Sequence, residues 1–181
     1  RYSKKLPLKE VEKLIYDKVH EIKLAGILIL VDKYESNDEK VKKEIYSFYL
    51  KNSKRVNNWD LVDLTASKIV GDYLLDKQRD ILFKLAKSNN LWERRISIIA
   101  TFAFIKNNQF EDAFKISEIL IEDKQDLVHK AVGWMLREVG KKNKKILRDF
   151  LKTHYKKMPR KMLRYAIEKF DERERKKWLE K

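Results

Sequence analysis

The sequence predicts an all-α fold, and three observations carry that expectation. Only 4 Gly and 2 Pro occur in 181 residues, which leaves little material for hairpins or long loops. The breaks between apolar-patterned stretches, Ser36-Asn37-Asp38, Asn57-Asn58, Ser88-Asn89-Asn90 and Asn107-Asn108, are short and polar, as turns between antiparallel helices are. Tryptophans at 59, 92 and 134 stand 33 and 42 residues apart, so helix pairs recur at an interval suited to stacking.

The elements follow in order. Pro7 suits a first helical turn, and a helix is expected over about 7–17. The next covers about 20–34, with Ile22, Ala25, Ile29 and Val31 or Leu30 facing inward. Further helices are expected over roughly 39–52, 59–73, 76–88, 91–107, 109–121, 126–141, 143–156, 159–169 and 171–181. The interval falls in the range of HEAT and armadillo repeats. The repeats share no strict motif, so periodicity alone gives an α-solenoid or an irregular helical bundle. The expectation is one domain over 1–181, a right-handed or C-shaped stack of antiparallel helix pairs with no sheet.

With 43% apolar and 39% charged residues, the composition suits a folded chain with a highly charged surface. Zero Cys excludes a disulfide framework and thiolate metal sites and fits an intracellular, cytoplasmic protein. The longest apolar run, Leu24 to Val31, has eight residues, too few to span a bilayer. No signal-peptide pattern opens the chain; its start at Arg1 suggests that residues are missing upstream. The net charge of +15 is uneven. Residues 124–181 hold 20 basic and 8 acidic residues, a balance of +12, against 23 and 20, a balance of +3, in residues 1–123. A Lys-rich solvated surface explains abundance of lysine. It does not explain the asymmetry, which a polyanion-binding surface would. No Gly-rich phosphate loop, HExxH or Ser/His/Asp set is visible, and His20, His129 and His154 lack metal-ligand spacing. Neither metal nor cofactor is expected.

The most informative stretch is Asn58-Trp59-Asp60-Leu61-Val62-Asp63. Asn58 is a good N-cap, and Trp59 and Asp63, four apart, share one helical face. Asp60 fits the role of an early-helix carboxylate favoured by the macrodipole, which leaves Asp63 freer for chemistry. Two further tryptophans stand close to arginines, in Leu91-Trp92-Glu93-Arg94-Arg95 and Gly133-Trp134-Met135-Leu136-Arg137. Trp92 reads as a core residue packing adjacent repeats, and Trp178 as a cap on the final helix pair. Gly133 interrupts a helix at a cost of about 1 kcal/mol, a sign of close approach by a neighbouring helix or a DNA backbone. One carboxylate, several indoles and several guanidiniums on a basic helical chain suggest a site for nucleic acid.

These segments carry a family resemblance. NWDLVD at 58–63, LWERR at 91–95 and HKAVGWMLREVGK at 129–141 resemble the AlkD-type DNA alkylation-repair glycosylases, helical proteins of HEAT-like repeats. The resemblance is strong over 55–141 and weaker elsewhere. It implies a HEAT-like solenoid, a monomer that acts on double-stranded DNA, and excision of cationic N3- and N7-alkylpurines without flipping of the base into a pocket, unlike other glycosylases. Residue by residue, Trp59 and Trp134 match the active-site tryptophans and Asp63 the catalytic aspartate. Arg95 matches the phosphate-contacting arginine of W-x-x-R, and Arg137 a further basic DNA contact. Arg94 and Lys141 are candidate DNA contacts beside them. The family has additional N-terminal helices, with a basic, proline-containing segment, that the match here does not include.

The chemistry is self-consistent. Ordinary glycosidases need two carboxylates, one to protonate the leaving group. An alkylated purine is already cationic and leaves neutral, so one carboxylate suffices to stabilise the sugar cation and orient the capturing water. Indole faces add cation–π stabilisation that grows as charge develops. Two other readings are a DNA-binding relative without glycosylase activity, against which the retention of Asp63 with both tryptophans argues, and a HEAT-like protein-binding scaffold. The latter calls for no carboxylate flanked by indoles. Whether Trp59, Asp63, Arg95 and Trp134 converge on one basic surface discriminates the scaffold from the other two.

Overall fold

The computed structural model describes residues 6–180; Arg1 and Lys181, the chain ends named above, lie outside them. The described residues are all-helical, without strands, as the sequence predicts. The α-helices are α1 (Leu8–Ile15), α2 (His20–Glu35), α3 (Glu39–Lys51), α4 (Trp59–Thr65), α5 (Asp80–Ala86), α6 (Leu91–Lys106), α7 (Glu111–Leu120), α8 (Asp126–Lys142), α9 (Lys144–His154), α10 (Arg160–Ala166) and α11 (Glu172–Leu179). A 3₁₀ turn, Ser53–Arg55, precedes α4, and a π-helical segment, Ala66–Gly71, continues it. Helix starts are set locally. Asn58, Asn90 and Asn143 each accept from backbone N–H groups of the first turn of α4, α6 and α9, satisfying donors that have no intrahelical partner.

The even-numbered helices pack in chain order, α2 on α4, α4 with its π segment on α6, α6 on α8 and α8 on α10, while α5, α7 and α9 lie against this row. The centre is α6, which is buried on nearly every side from Arg95 to Ile105. Two glycines permit the closest approaches. A Cβ on Gly71 would collide with the carbonyl of Ala100 in α6, and one on Gly133 would lie 2.5 Å from both the Met162 carbonyl and Tyr165 Cβ of α10. Gly133 therefore serves a neighbouring helix. Trp92 is half-buried against the core, and Trp178 meets Tyr155, after α9, edge to face at 5.4 Å.

Two local expectations are corrected. The inward face of α2 is Gly26, Ile27, Leu30, Val31 and Tyr34, with Ile22 and Ala25 exposed. The centre of this helix, Leu24 to Val31, is an unbroken apolar run, so periodicity gives little direction; Gly26, whose Cβ would lie 2.8 Å from Leu14 Cβ of α1, sets the face. The helix expected from 76 starts instead at Asp80. Arg79 turns back to donate to the carbonyls of Leu74 and Leu75 and pairs with Asp112 at 2.6 Å, its guanidinium 3.7 Å from the centre of the Phe104 ring. Those bonds stabilise a turn over 76–79 where a regular helix would otherwise start.

Candidate active site

The first turn of α4 is held from two directions. Asn58 Oδ1 accepts from Trp59 N at 2.8 Å. Asp60 Oδ1 accepts from Leu61 N at 2.8 Å, and its Oδ2 lies 2.7 Å from His20 Nε2 at the start of α2. Asp60 thus does take the helix-start role. Leu61 and Val62 are fully buried, and they anchor the turn so that Trp59 and Asp63 emerge together on its other side. The Trp59 side chain is largely free, at 54% exposure.

Trp59 and Asp63 of α4, Arg95 of α6, and Trp134 and Arg137 of α8 line one open cleft of about 460 Å³. Five of the seven side chains singled out in the sequence are therefore together. Arg94 is turned elsewhere: its Nε donates to Asp123 Oδ2 at 2.5 Å and its Nη1 to the Ser88 carbonyl at 2.9 Å. Lys141 does not line the cleft; it is bound to both oxygens of Glu138, at 2.7 and 2.9 Å.

Asp63 and Arg95 form a two-pronged ion pair. Arg95 Nε donates to Oδ1 at 3.0 Å and Nη2 to Oδ2 at 2.8 Å, while Nη1 donates to the Leu127 carbonyl at the start of α8. Arg95 is 4% exposed, and three of its five N–H donors are engaged inside the protein. Burial pushes the Asp63 carboxyl above its ordinary value, and the Arg95 guanidinium opposes that rise. Each carboxylate oxygen keeps a further lone pair for a ligand.

Trp134 forms a fixed wall. Its ring lies 6.0 Å from that of Phe102, and its Nε1 donates to Glu138 Oε1 at 3.1 Å. Arg137, three residues on, pairs with Glu168 and lies 3.5 Å from Glu138 Oε1. Leu127, Lys130 and Tyr165 complete the lining, and the sequence reading missed all three. A signal for Lys130 exists, since Lys130, Trp134 and Arg137 stand at i, i+4 and i+7 on one face of α8. Tyr165 carries no such signal; it enters because Gly133 lets α10 approach. Among the described residues, no three His, Cys, Asp or Glu side chains are grouped to hold a metal ion, and no helix is long and apolar enough to cross a membrane.

One half-buried carboxylate, two indoles and several cations thus meet in one cleft of an all-helical chain. Residues 1–170 match the family described as DNA alkylation repair enzyme, and the chain belongs to that family. A solved structure described as a predicted DNA alkylation repair enzyme from Enterococcus faecalis has a similar fold, with a TM-score of 0.70 at 15% identity over 94% of this chain and 80% of that one. Comparison with curated protein sequences gives no significant match. Membership in the family carries a role in DNA repair, with DNA as the substrate.

Proposed function

We propose that the protein is a DNA glycosylase that hydrolyses the N-glycosidic bond of cationic N3- and N7-alkylated purines in duplex DNA. The observation that carries this reading is the meeting of Trp59, Asp63 and Trp134 in one cleft. The C1′–N bond breaks with its electron pair going to the base, which leaves neutral. Positive charge passes to the sugar, where the Asp63 carboxylate and the two indole faces stabilise it. Water then adds to C1′ and gives up its proton, with Asp63 as the nearest acceptor.

Arg95 has a different part in this reading from the phosphate contact that its motif implies. Buried and bonded to both carboxylate oxygens, it is a positioning residue that holds the Asp63 carboxylate in one orientation. The polar engagement of Arg94 with Asp123 likewise supports a structural role.

The test is base release from duplex DNA that carries 7-methylguanine. The protein should release 7-methylguanine under single-turnover conditions and leave an abasic site. Duplex binding with no release above the uncatalysed rate would overturn the glycosylase reading in favour of a non-catalytic DNA-binding protein.

A further inference from the structure

We propose that Lys130 is the phosphate anchor of the cleft, binding a backbone phosphodiester beside the nucleotide that faces Trp134. The inference deepens the proposed function, since it rests on duplex DNA entering this cleft. Four cations stand out in the sequence as DNA contacts, and every one has a protein carboxylate: Arg94 with Asp123, Arg95 with Asp63, Arg137 with Glu168 and Lys141 with Glu138. Lys130 lines the same cleft, is half-buried, and has no ion pair or hydrogen bond among the described residues. The carboxylate of Asp126, one turn before it on α8, attracts Lys130 at longer range but is bonded by Lys161. A cleft lysine with no bonded carboxylate keeps its ammonium available to an anion brought in by a ligand. Phosphate oxygens are such anions, and lysine serves them as a compact point charge.

The geometry of α8 supports a backbone ligand in particular. Lys130 and Arg137 stand one turn to either side of Trp134 on the same face, with their Cα atoms about 10 Å apart along the helix axis. An indole flanked by two cations matches a deoxyribose flanked by two phosphates. Arg137 lines the same cleft, but its guanidinium is held by Glu168 and lies near Glu138. Arg137 must share itself with Glu168; Lys130 is bonded to no carboxylate, so it makes the contact most fully.

The experiment is the salt dependence of binding to unmodified duplex by the wild type, Lys130→Gln, Lys130→Arg and Lys115→Gln. Lys115 is an exposed, ion-paired lysine of α7 outside the cleft and serves as control. Each neutralised phosphate adds about 0.9 to the slope of log affinity against log salt. Lys130→Gln should lower that slope by about 0.9, so that its deficit relative to wild type shrinks about three- to four-fold between 50 and 200 mM salt. Lys130→Arg should restore the slope, and Lys115→Gln should keep it. A merely structural lysine would alter affinity or unfolding without changing the slope. An unchanged slope in Lys130→Gln, an equal drop in Lys115→Gln, or duplex affinity of the wild type that does not depend on salt would each overturn the proposal. Because base release is absent from this measurement, wild type that binds duplex but releases no 7-methylguanine would overturn the glycosylase reading alone.

Discussion

Arg95 grips Asp63 through two parallel hydrogen bonds of 3.0 and 2.8 Å, across 32 positions of sequence and between different helices. A third bond, to the Leu127 carbonyl, ties the guanidinium to the start of α8, the helix that carries Trp134. One buried side chain thereby couples the carboxylate on α4 to the helix that carries the opposing indole. Such an arrangement supports electrostatic catalysis, in which groups gain little by moving and much by being fixed before charge develops.

Removing Arg95 should therefore harm the site through Asp63. Arg95→Met strips the counter-ion from a carboxylate whose side chain is 16% exposed, and breaking such a pair from one side costs about 3–5 kcal/mol. The expected outcome is a lower midpoint in urea unfolding and slowed base release, with duplex affinity changed less than the rate. A phosphate-contact role predicts the opposite ranking, with a large loss of affinity and a smaller loss of stability. Parallel denaturation, binding and single-turnover measurements on the one variant decide between them.

The same pair sets a pH dependence. Burial raises the Asp63 carboxyl above its usual range, and Arg95 restrains the rise. The reaction needs the anion, so release should fall as pH drops through a midpoint above the ordinary aspartate value of about 4. Arg95→Met should move that midpoint higher still, since burial then acts unopposed. The stability linkage has the other sign. With the folded value above the unfolded one, the Asp63 contribution to stability is full at low pH and lost as pH rises through the folded value. Activity should therefore fall before any acid unfolding begins. A release rate that tracks loss of the helical circular dichroism signal would contradict this.

The two tryptophans should separate function from stability. Trp59 is more than half exposed, so Trp59→Ala should change stability by no more than about 0.5 kcal/mol while slowing release. Trp134 packs near Phe102 and donates to Glu138, so Trp134→Ala should cost about 1–2 kcal/mol of stability in addition to rate. Trp134→Phe keeps an aromatic face and should retain more activity than the alanine variant. If Trp59→Ala releases base at the parent rate, its indole is no part of the catalytic wall.

What the sequence could and could not reveal follows from the range of the interactions. Asn58 is legible as a helix start because capping acts within three residues, and the polar break Ser88-Asn89-Asn90 marks the start of α6 in the same local way. Trp59 and Asp63 were legible as neighbours because one helical turn joins them. The carboxylate partners of the arginines were not. Arg94 reaches Asp123 across 29 positions and Arg137 reaches Glu168 across 31, choices that depend on how helices pack. An arginine next to a tryptophan therefore reads as a DNA contact until its partner is seen. The turn at 76–79 was hidden for the same reason, since Arg79 bonds to Gln109 and Asp112. On α2 the reason is different: its centre, Leu24 to Val31, is one apolar run and has no stripe to read.

The decisive variant is Asp63→Asn, which keeps shape and removes the anion. Loss of one preorganised electrostatic group costs on the order of 10²–10³ in rate, and the loss should appear in the chemical step. Burial already favours the uncharged carboxyl, and the amide oxygen can still accept from Arg95. The guanidinium, 4% exposed, loses its counter-ion, so the variant should be less stable than the parent while keeping the helical fold at neutral pH, which circular dichroism checks. Duplex affinity should hold or rise, because a negative charge is removed near phosphate. An uncharged adduct should gain far less from the parent enzyme than 7-methylguanine does, since its base is a poorer leaving group and one carboxylate cannot serve as both acid and cation stabiliser. The substitution also removes the charge that Arg95→Met leaves buried and unpaired. The double variant Asp63→Asn, Arg95→Met should therefore be more stable than Arg95→Met alone, a coupling that a double-mutant cycle measures. Release of 7-methylguanine by Asp63→Asn at the parent rate, under single-turnover conditions and with duplex binding preserved, would remove Asp63 from the mechanism even if the glycosylase activity itself stood.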